Sequence, residues 1–412
     1  MRFVLVLAAA CAFLALAVSP AAASPGVRYG IQDDAWLLHG PGTLDSRLDT
    51  LSRLGADVVR FNLHWDRIEA RRGRPNWAAS DAVLKGLRAR RIPAIVGLVG
   101  SPRWANGGRA PNWAPRAREF ATFARTAARR YSWVRDWLIW NEPNQSRWLR
   151  PTVPSLYVRA LLNPAYAAIH GVKRNARVAG GVTAPRAGSA GLSPVDWIRG
   201  MAKSRPKLDA YAHHPYPARP TDSPFTGGCK ASTCKTITMA SLERLLAETA
   251  RAFGPKRIWL TEYAYQTGKF GVSKQRQAEL IGQGALRVVR TPRVDLLVHY
   301  LVRDEPATAR FQSGLFSYSM RAKPAAFAFP FPLAQAGRNG DRLVLWGQVR
   351  PRRGAQTFRL QVRRGGAWRW AGGTRRTNAR GFFSVAVAAP KGTQLRIWSP
   401  RDSAYSAAIV AR

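Results

Sequence analysis

The chain has 412 residues, 46% of them apolar, with 65 Lys/Arg against 23 Asp/Glu and a formal net charge of +42. That apolar share excludes a disordered or low-complexity chain, and three cysteines are too few for a disulfide-built scaffold. The basic residues are dispersed, without a long run or a nucleic-acid motif, so the charge reads as spread over the surface and no nucleic-acid partner is expected.

Residues 1–24 read as a signal peptide. Arg2 supplies a positive start, Phe3 to Val18 an apolar stretch, and Ala21-Ala22-Ala23 a small-residue cleavage site before Ser24-Pro25. The stretch is shorter than the roughly 20 residues of a membrane span, and no other segment comes closer. Cys11 lies too early in the apolar run for a lipidation site. The expectation is export, to the medium or the cell wall, with no transmembrane segment after cleavage. Cys229 and Cys234 then remain as an even pair in a loop, which predicts a local disulfide. No second Cys/His pair sits nearby at metal-ligand spacing, so no metal is expected.

Eight short apolar runs follow: Val27–Gln32, Asp57–Asn62, Ile92–Leu98, Asp136–Asn141, Ala176–Val182, Leu208–His214, Arg257–Glu262 and Val294–Tyr300. Between them lie amphipathic patterns with 3.6-residue spacing. Leu44, Leu48, Leu51 and Leu54 end at Gly55, Phe120, Phe123, Ala127 and Tyr131 mark another helix, and Leu242, Leu245, Leu246 and Phe253 end at Gly254-Pro255. Buried strands alternating with helices predict a parallel sheet, and eight such units predict a closed (β/α)₈ TIM barrel over residues 25–332.

After Phe327-Ala328-Phe329-Pro330-Phe331-Pro332 the pattern changes to short alternating strands: Leu343–Val349, Thr357–Arg363, Trp368–Ala371, Gly381–Val387 and Gln394–Trp398. This predicts a small antiparallel β-sandwich over 338–412, with 330–337 as the boundary. Its basic charge suits an anionic cell-wall or surface polymer. Trp346, Trp368, Trp370 and Trp398 give it either a core or a glycan-binding face.

A barrel brings the C-terminal ends of its strands to one mouth. In order these ends carry Gln32-Asp33-Asp34-Ala35-Trp36, Arg60-Phe61-Asn62-Leu63-His64-Trp65, Ser101-Pro102-Arg103-Trp104, Asn141-Glu142, His213-His214-Pro215-Tyr216, Glu262-Tyr263 and His299-Tyr300. Strands four and seven lie nearly opposite, so Glu142 and Glu262 face each other. Two opposed carboxylates, with aromatic rings and hydroxyl-binding side chains around them, are what glycosidic-bond hydrolysis needs. One Glu protonates the leaving oxygen and the other attacks the anomeric carbon or activates water.

Trp140-Asn141-Glu142-Pro143-Asn144 and Leu260-Thr261-Glu262-Tyr263 resemble the strand-four and strand-seven signatures of clan A glycoside hydrolases, most like families 5 and 39. Ser101-Pro102-Arg103-Trp104-Ala105, His214-Pro215-Tyr216 and Gln312-Ser313-Gly314-Leu315 are similar to recurring segments there. The resemblance spans residues 27–330. It implies a retaining hydrolase of a poly- or oligosaccharide that uses no cofactor. Glu142 would be its acid/base and Glu262 its nucleophile. Asn141 would bind the sugar 2-hydroxyl, Arg60 keep Glu262 ionised, and His214 or Tyr216 orient it. Where many members of the clan carry a Trp at the end of strand eight, this chain has Tyr300. Trp36, Trp65 and Trp104 are further candidates to touch substrate. The rival readings are a non-catalytic glycan-binding or wall-associated protein on the same barrel, and a transglycosylase using the same residues.

Overall fold

The computed structural model describes residues 26–229, 231, 233–306, 311–352 and 354–412. The signal peptide expected at 1–24 lies outside the described residues. The eight predicted runs are eight parallel strands: β1 (Arg28–Gln32), β2 (Val58–His64), β3 (Ala94–Val99), β4 (Asp136–Ile139), β5 (Arg177–Thr183), β6 (Ala210–His213), β7 (Arg257–Tyr263) and β8 (Val294–Tyr300). They pair in chain order, and β8 closes on β1 from Arg28–Leu296 to Gln32–Tyr300.

The helices between them form for local reasons. Thr43 caps Leu44–Arg53 by accepting the Ser46 N–H at 3.1 Å, and that helix turns Leu48 and Leu51 inward. Its end is released through Gly55, whose φ of +68° favours glycine. Phe120, Phe123 and Ala127 form the buried stripe of Ala117–Arg130.

The period-two alternation of each strand sends one set of side chains outward to the helices and the other into the barrel. Val58, Ile95, Leu138, Ala210, Trp259, Leu296 and Val298 fill the interior as a cluster of their own. Gly30 admits the Val58 and Val298 side chains, which a Cβ there would approach to 2.8 and 3.2 Å.

Beyond the barrel, β9 (Leu333–Asn339), β10 (Arg342–Gln348) and β14 (Phe382–Ala388) form a three-stranded antiparallel sheet. β11 (Thr357–Arg364), β12 (Ala367–Trp370), β15 (Gln394–Ser399) and β16 (Ala404–Tyr405) form the second sheet, with β13 (Arg375–Arg376) and β17 (Ile409–Val410) attached. Leu343, Leu345, Phe358, Leu360, Phe383 and Ile397 share a core between them, and Phe358 stacks on Phe383 with ring centres 4.0 Å apart. β9 was not among the predicted strands: it starts at Leu333, inside the expected boundary segment. It lies against the helix Lys274–Val289, where a Cβ on Gly282 would come within 1.9 Å of the Leu333 carbonyl oxygen. Buried Arg350 joins the two parts from the sheet side, over the Tyr29 ring at 3.8 Å and donating to the Phe329 carbonyl at 2.8 Å. Among the described residues no helix is long and apolar enough to cross a membrane.

Candidate active site

The mouth of the barrel opens into a cavity of about 820 Å³. Glu142, Glu262, Asn141, Tyr216 and Tyr300 line it, and every lining residue precedes the C-terminal sheets.

Glu142 is presented by a bent backbone. β4 ends at Ile139, two residues before the predicted end, because Trp140 has a φ of +72°. Glu142 follows at +40°. Both are unusual for side-chain-bearing residues and strain the turn. The strain is held from several sides. Trp140 N–H still bonds the Leu98 carbonyl at 3.0 Å, and its indole N–H reaches the Trp148 carbonyl at 2.8 Å. Glu142 N–H bonds Val182 O at 2.9 Å, and Val182 sits in a β5 bulge with its own φ of +47°. Asn144 ties the same turn to the β5 loop through the Ala184 N–H and the Leu192 carbonyl, both at 2.9 Å.

Glu262 comes from within β7. Its Oε1 accepts from Arg60 Nη1 at 2.8 Å and its Oε2 from Tyr216 Oη at 3.1 Å. Arg60 is 0% exposed and projects inward from β2. Its other nitrogen, Nη2, reaches Asn141 Oδ1 at 2.6 Å. A guanidinium has no acceptor, so Asn141 must turn its carbonyl to Arg60 and keep its NH₂ for a ligand.

His214 lies between the two glutamates. Its Nε2 is 3.1 Å from Arg60 Nη1, which can only donate, so the ring proton belongs on Nδ1. Nδ1 is 2.9 Å from Glu142 Oε1 and 3.5 Å from Glu262 Oε2. Burial pushes the His214 pKa down to about 3, so the ring is neutral. Its neighbour His213 faces away, to Thr183 Oγ1 at 2.9 Å and the Ile237 carbonyl at 3.1 Å.

Burial raises Glu142 to about 7, against the opposing pull of Arg60 and more distant arginines. A carboxyl so placed changes its charge near neutral pH. Glu142, His214 and Glu262 offer ligand atoms within 4.8 Å of one another, the one group among the described residues that could hold a metal. Arg60 already places a positive charge 2.8 Å from Glu262, so a divalent cation there would meet like charge.

The predicted residues divide into two groups. Arg60, Asn141, Glu142, His214, Tyr216, Glu262 and Tyr300 converge. Tyr300 adjoins Phe311 and Tyr216 with ring centres 5.3 and 6.4 Å away. The three tryptophans are corrections, since none lines the cavity. Trp65 is 0% exposed and stacks on Phe123 at 5.1 Å, in the layer between strands and helices. Trp104 meets it edge-on and bonds the Glu69 carbonyl at 2.8 Å. Trp36 is buried in the first helical turn, which Asp33 caps at 3.0 Å. Trp36 and Trp104 follow their strand ends by four and five residues, room to turn back into the core, and Trp65 opens a helical turn directly after β2. Gln32, Asp34 and Asn62 do line the cavity, although sequence reasoning assigned them no role. Inward alternation from β1 and β2 was the signal that could have found two of them. Cys229 and Cys234 form the predicted disulfide, with Cα atoms 5.9 Å apart, in the loop after β6.

No family model matches the chain, and no curated protein does. Solved structures do. A family 39 glycoside hydrolase from the gut symbiont Bacteroides cellulosilyticus WH2 aligns with a TM-score of 0.62 at 15% identity, over 88% of this chain and 79% of that one. A glucosidase from Croceicoccus marinus aligns with a TM-score of 0.59 at 11% identity, over 90% and 94%. The β-glycosidase BGL167 aligns with a TM-score of 0.53 at 15% identity, over 73% and 94%. At such identities the likeness is one of fold: this chain has a (β/α)₈ barrel of the kind that carries several glycosidases.

Proposed function

We propose that the protein is a retaining glycoside hydrolase acting on a poly- or oligosaccharide, with Glu142 as acid/base and Glu262 as nucleophile. One observation carries the reading: a carboxylate oxygen of each glutamate lies within 4.8 Å of the other, around a shared neutral His214. Retaining enzymes hold their carboxyl groups about 5–5.5 Å apart, and inverting ones about 6.5–9.5 Å to admit a water. The short span supports retention.

Glu142 protonates the leaving oxygen while Glu262 forms the glycosyl-enzyme. Glu142 then takes a proton from the water that releases the sugar. Asn141 offers its NH₂ to the sugar next to the reacting carbon. The resemblance of the Asn141-Glu142-Pro143 and Thr261-Glu262-Tyr263 segments to families 5 and 39 supports the same roles. Proton NMR of the first-formed product on an aryl glycoside tests the reading. Retention of the anomeric configuration is expected, and an inverted first product would overturn it. A non-catalytic glycan-binding protein would bind without turnover.

The C-terminal sheets make a second contact in this reading. Arg359 stacks on Trp370 at 3.8 Å, and Arg396 stacks on Trp368 at 4.2 Å and on Tyr405 at 3.8 Å. This basic, aromatic face suits an anionic wall polymer outside the cell, to which residues 1–24 would direct the chain. Salt-sensitive retention on such a polymer, lost in Arg359→Gln/Arg396→Gln, is the expected result.

A further inference from the structure

The charges around the mouth sort by strand. The loops after β8 and β1 bring Glu305, Asp33 and Asp34 to the cavity, and those after β2, β4, β5 and β6 bring Arg67, Arg147, Arg186 and Arg219. The carboxyls of the first group are occupied. Asp33 accepts the Trp36, Val302 and Arg303 N–H groups at 3.0–3.1 Å, and Glu305 accepts the Phe311 N–H at 2.9 Å. Asp34 accepts from Asn62 Nδ2 at 2.8 Å, and burial pushes it up to about 7. The four arginines are exposed, and among the described residues none of their guanidiniums pairs with a carboxylate. Asp222, the acid that acts on Arg186, already accepts the Ala218 and Arg219 N–H groups at 3.0 and 3.1 Å.

Three of these arginines belong to one wall, on the Glu142 side. Arg147 and Arg186 both favour the charged form of Glu142, against its burial. Their loops are tied together: Gln145 Nε2 donates to the Arg186 carbonyl at 2.7 Å, and Ser146 Oγ to the Ser189 carbonyl at 3.0 Å. Gly188 lets them close, since a Cβ there would sit 2.4 Å from Gln145 Oε1. Arg186 Nη2 donates to the Pro217 carbonyl at 2.6 Å, which joins the β6 loop and Arg219 to the same wall. Trp148 completes it. Its ring is 36% exposed, lines the cavity and has the Arg147 guanidinium over it at 5.5 Å. An indole face beside guanidiniums suits a sugar ring that bears a negative charge.

In a retaining mechanism the acid/base meets the leaving oxygen, while the nucleophile attacks the reacting carbon from the opposite face. A wall that adjoins Glu142 therefore meets the leaving group. We propose that Arg147, Arg186 and Arg219, with Trp148, hold an anionic sugar residue on the leaving-group side, so that the substrate is a polysaccharide carrying carboxylate or sulfate groups. The assignment rests on the glycosidase reading above and names its substrate class. Arg67 stands apart from this wall, on the β2 loop beside His64. Arg60, the buried cation of the site, is committed to Glu262 and Asn141.

The test pairs aryl glycosides that share one sugar and differ only on the leaving ring, a carboxylate against its methyl ester and a sulfate against its parent hydroxyl. For wild-type protein an anionic member should have a KM about tenfold lower than its neutral partner, the worth of one charge-assisted hydrogen bond. Which pair shows the larger gap names the anion. Arg147→Gln/Arg186→Gln should erase the gap. It also lets Glu142 rise, an effect shared by both members of a pair, so the ratio isolates the contact. Arg125→Gln/Arg129→Gln removes the same charge from the exposed face of the helix Ala117–Arg130 and should keep the gap. Equal KM values in the wild type, or a gap that both double variants erase or neither does, would overturn the assignment. If no aryl glycoside is cleaved, the hydrolase reading fails by itself. Calorimetry in the Arg359→Gln/Arg396→Gln background then decides the wall, with oligogalacturonate and dextran sulfate against methyl-esterified oligogalacturonate and dextran. Tighter anionic binding, lost when Arg147→Gln/Arg186→Gln is added, supports it, and equal binding of charged and neutral members overturns it.

Discussion

The ends of β4 and β7 present the same side chain to one cavity and surround it differently. At β4 the backbone is bent through two positive-φ residues, and Glu142 stands in a buried corner where its pKa rises to about 7. At β7 the strand runs on through Glu262 to Tyr263, and Glu262 receives donors from a guanidinium and a phenol at 2.8 and 3.1 Å. Desolvation favours the neutral form of Glu142, while Glu262 accepts two side-chain hydrogen bonds. His214 touches both and, being neutral with one N–H, can stabilise only an acceptor. Burial and hydrogen-bond supply thus set the two carboxyls apart, in the sense that the proposed acid/base and nucleophile roles require.

The largest expected effect comes from removing the β7 carboxylate. Glu262→Ala should lower kcat by roughly 10⁴-fold or more on every glycoside, the scale of losing a covalent nucleophile. Glu142→Ala should fall as steeply only on poor leaving groups, and far less on aryl glycosides that need no protonation. Equal losses for the two variants across leaving groups would break the comparison. Next is Arg60→Gln, which strips Glu262 of its cation and frees Asn141. A loss of roughly 10²–10³-fold in kcat is expected. The buried carboxylate left behind should cost about 3–5 kcal/mol in denaturant melts.

The smaller effects concern pH. With Glu142 raised to about 7, kcat/KM should fall as pH rises through that value, and Glu142→Gln should abolish that limb with the activity. The same shift sets a stability change. The stability contributed by the neutral Glu142 is fully present below its unfolded value of 4.5 and is lost as pH rises through about 7. Glu142→Gln should therefore match the wild type near pH 4 and exceed it by about 1–3 kcal/mol at pH 8. Thermal melts at the two pH values check this, and an equal Tm difference at both would contradict it.

Much of this arrangement was legible in residue order. Eight apolar runs separated by amphipathic helices dictate a barrel, and strand-end position then brings Glu142, Glu262, Arg60 and His214 together. What remained hidden has physical causes. Trp65 and Trp104 look like sugar platforms by position, but a large ring just past a strand end gains more by packing against Phe123 and the helix layer. β9 was hidden because Phe329-Pro330-Phe331-Pro332 reads as a break, and the strand begins at the next residue. Gln32 and Asp34 gave no motif. That both line the cavity is seen only once the strands and the turn after β1 are packed.

The central claim, that the β4 and β7 glutamates hold different roles, is tested most directly by azide rescue. Glu262→Ala and Glu142→Ala would each be given an activated aryl glycoside and excess azide, and the anomeric configuration of the glycosyl azide read by NMR. The account predicts an inverted azide from Glu262→Ala, where azide attacks the substrate directly. It predicts a retained azide from Glu142→Ala, where azide attacks the glycosyl-enzyme on Glu262. The same configuration from both variants, or the reverse assignment, would contradict it.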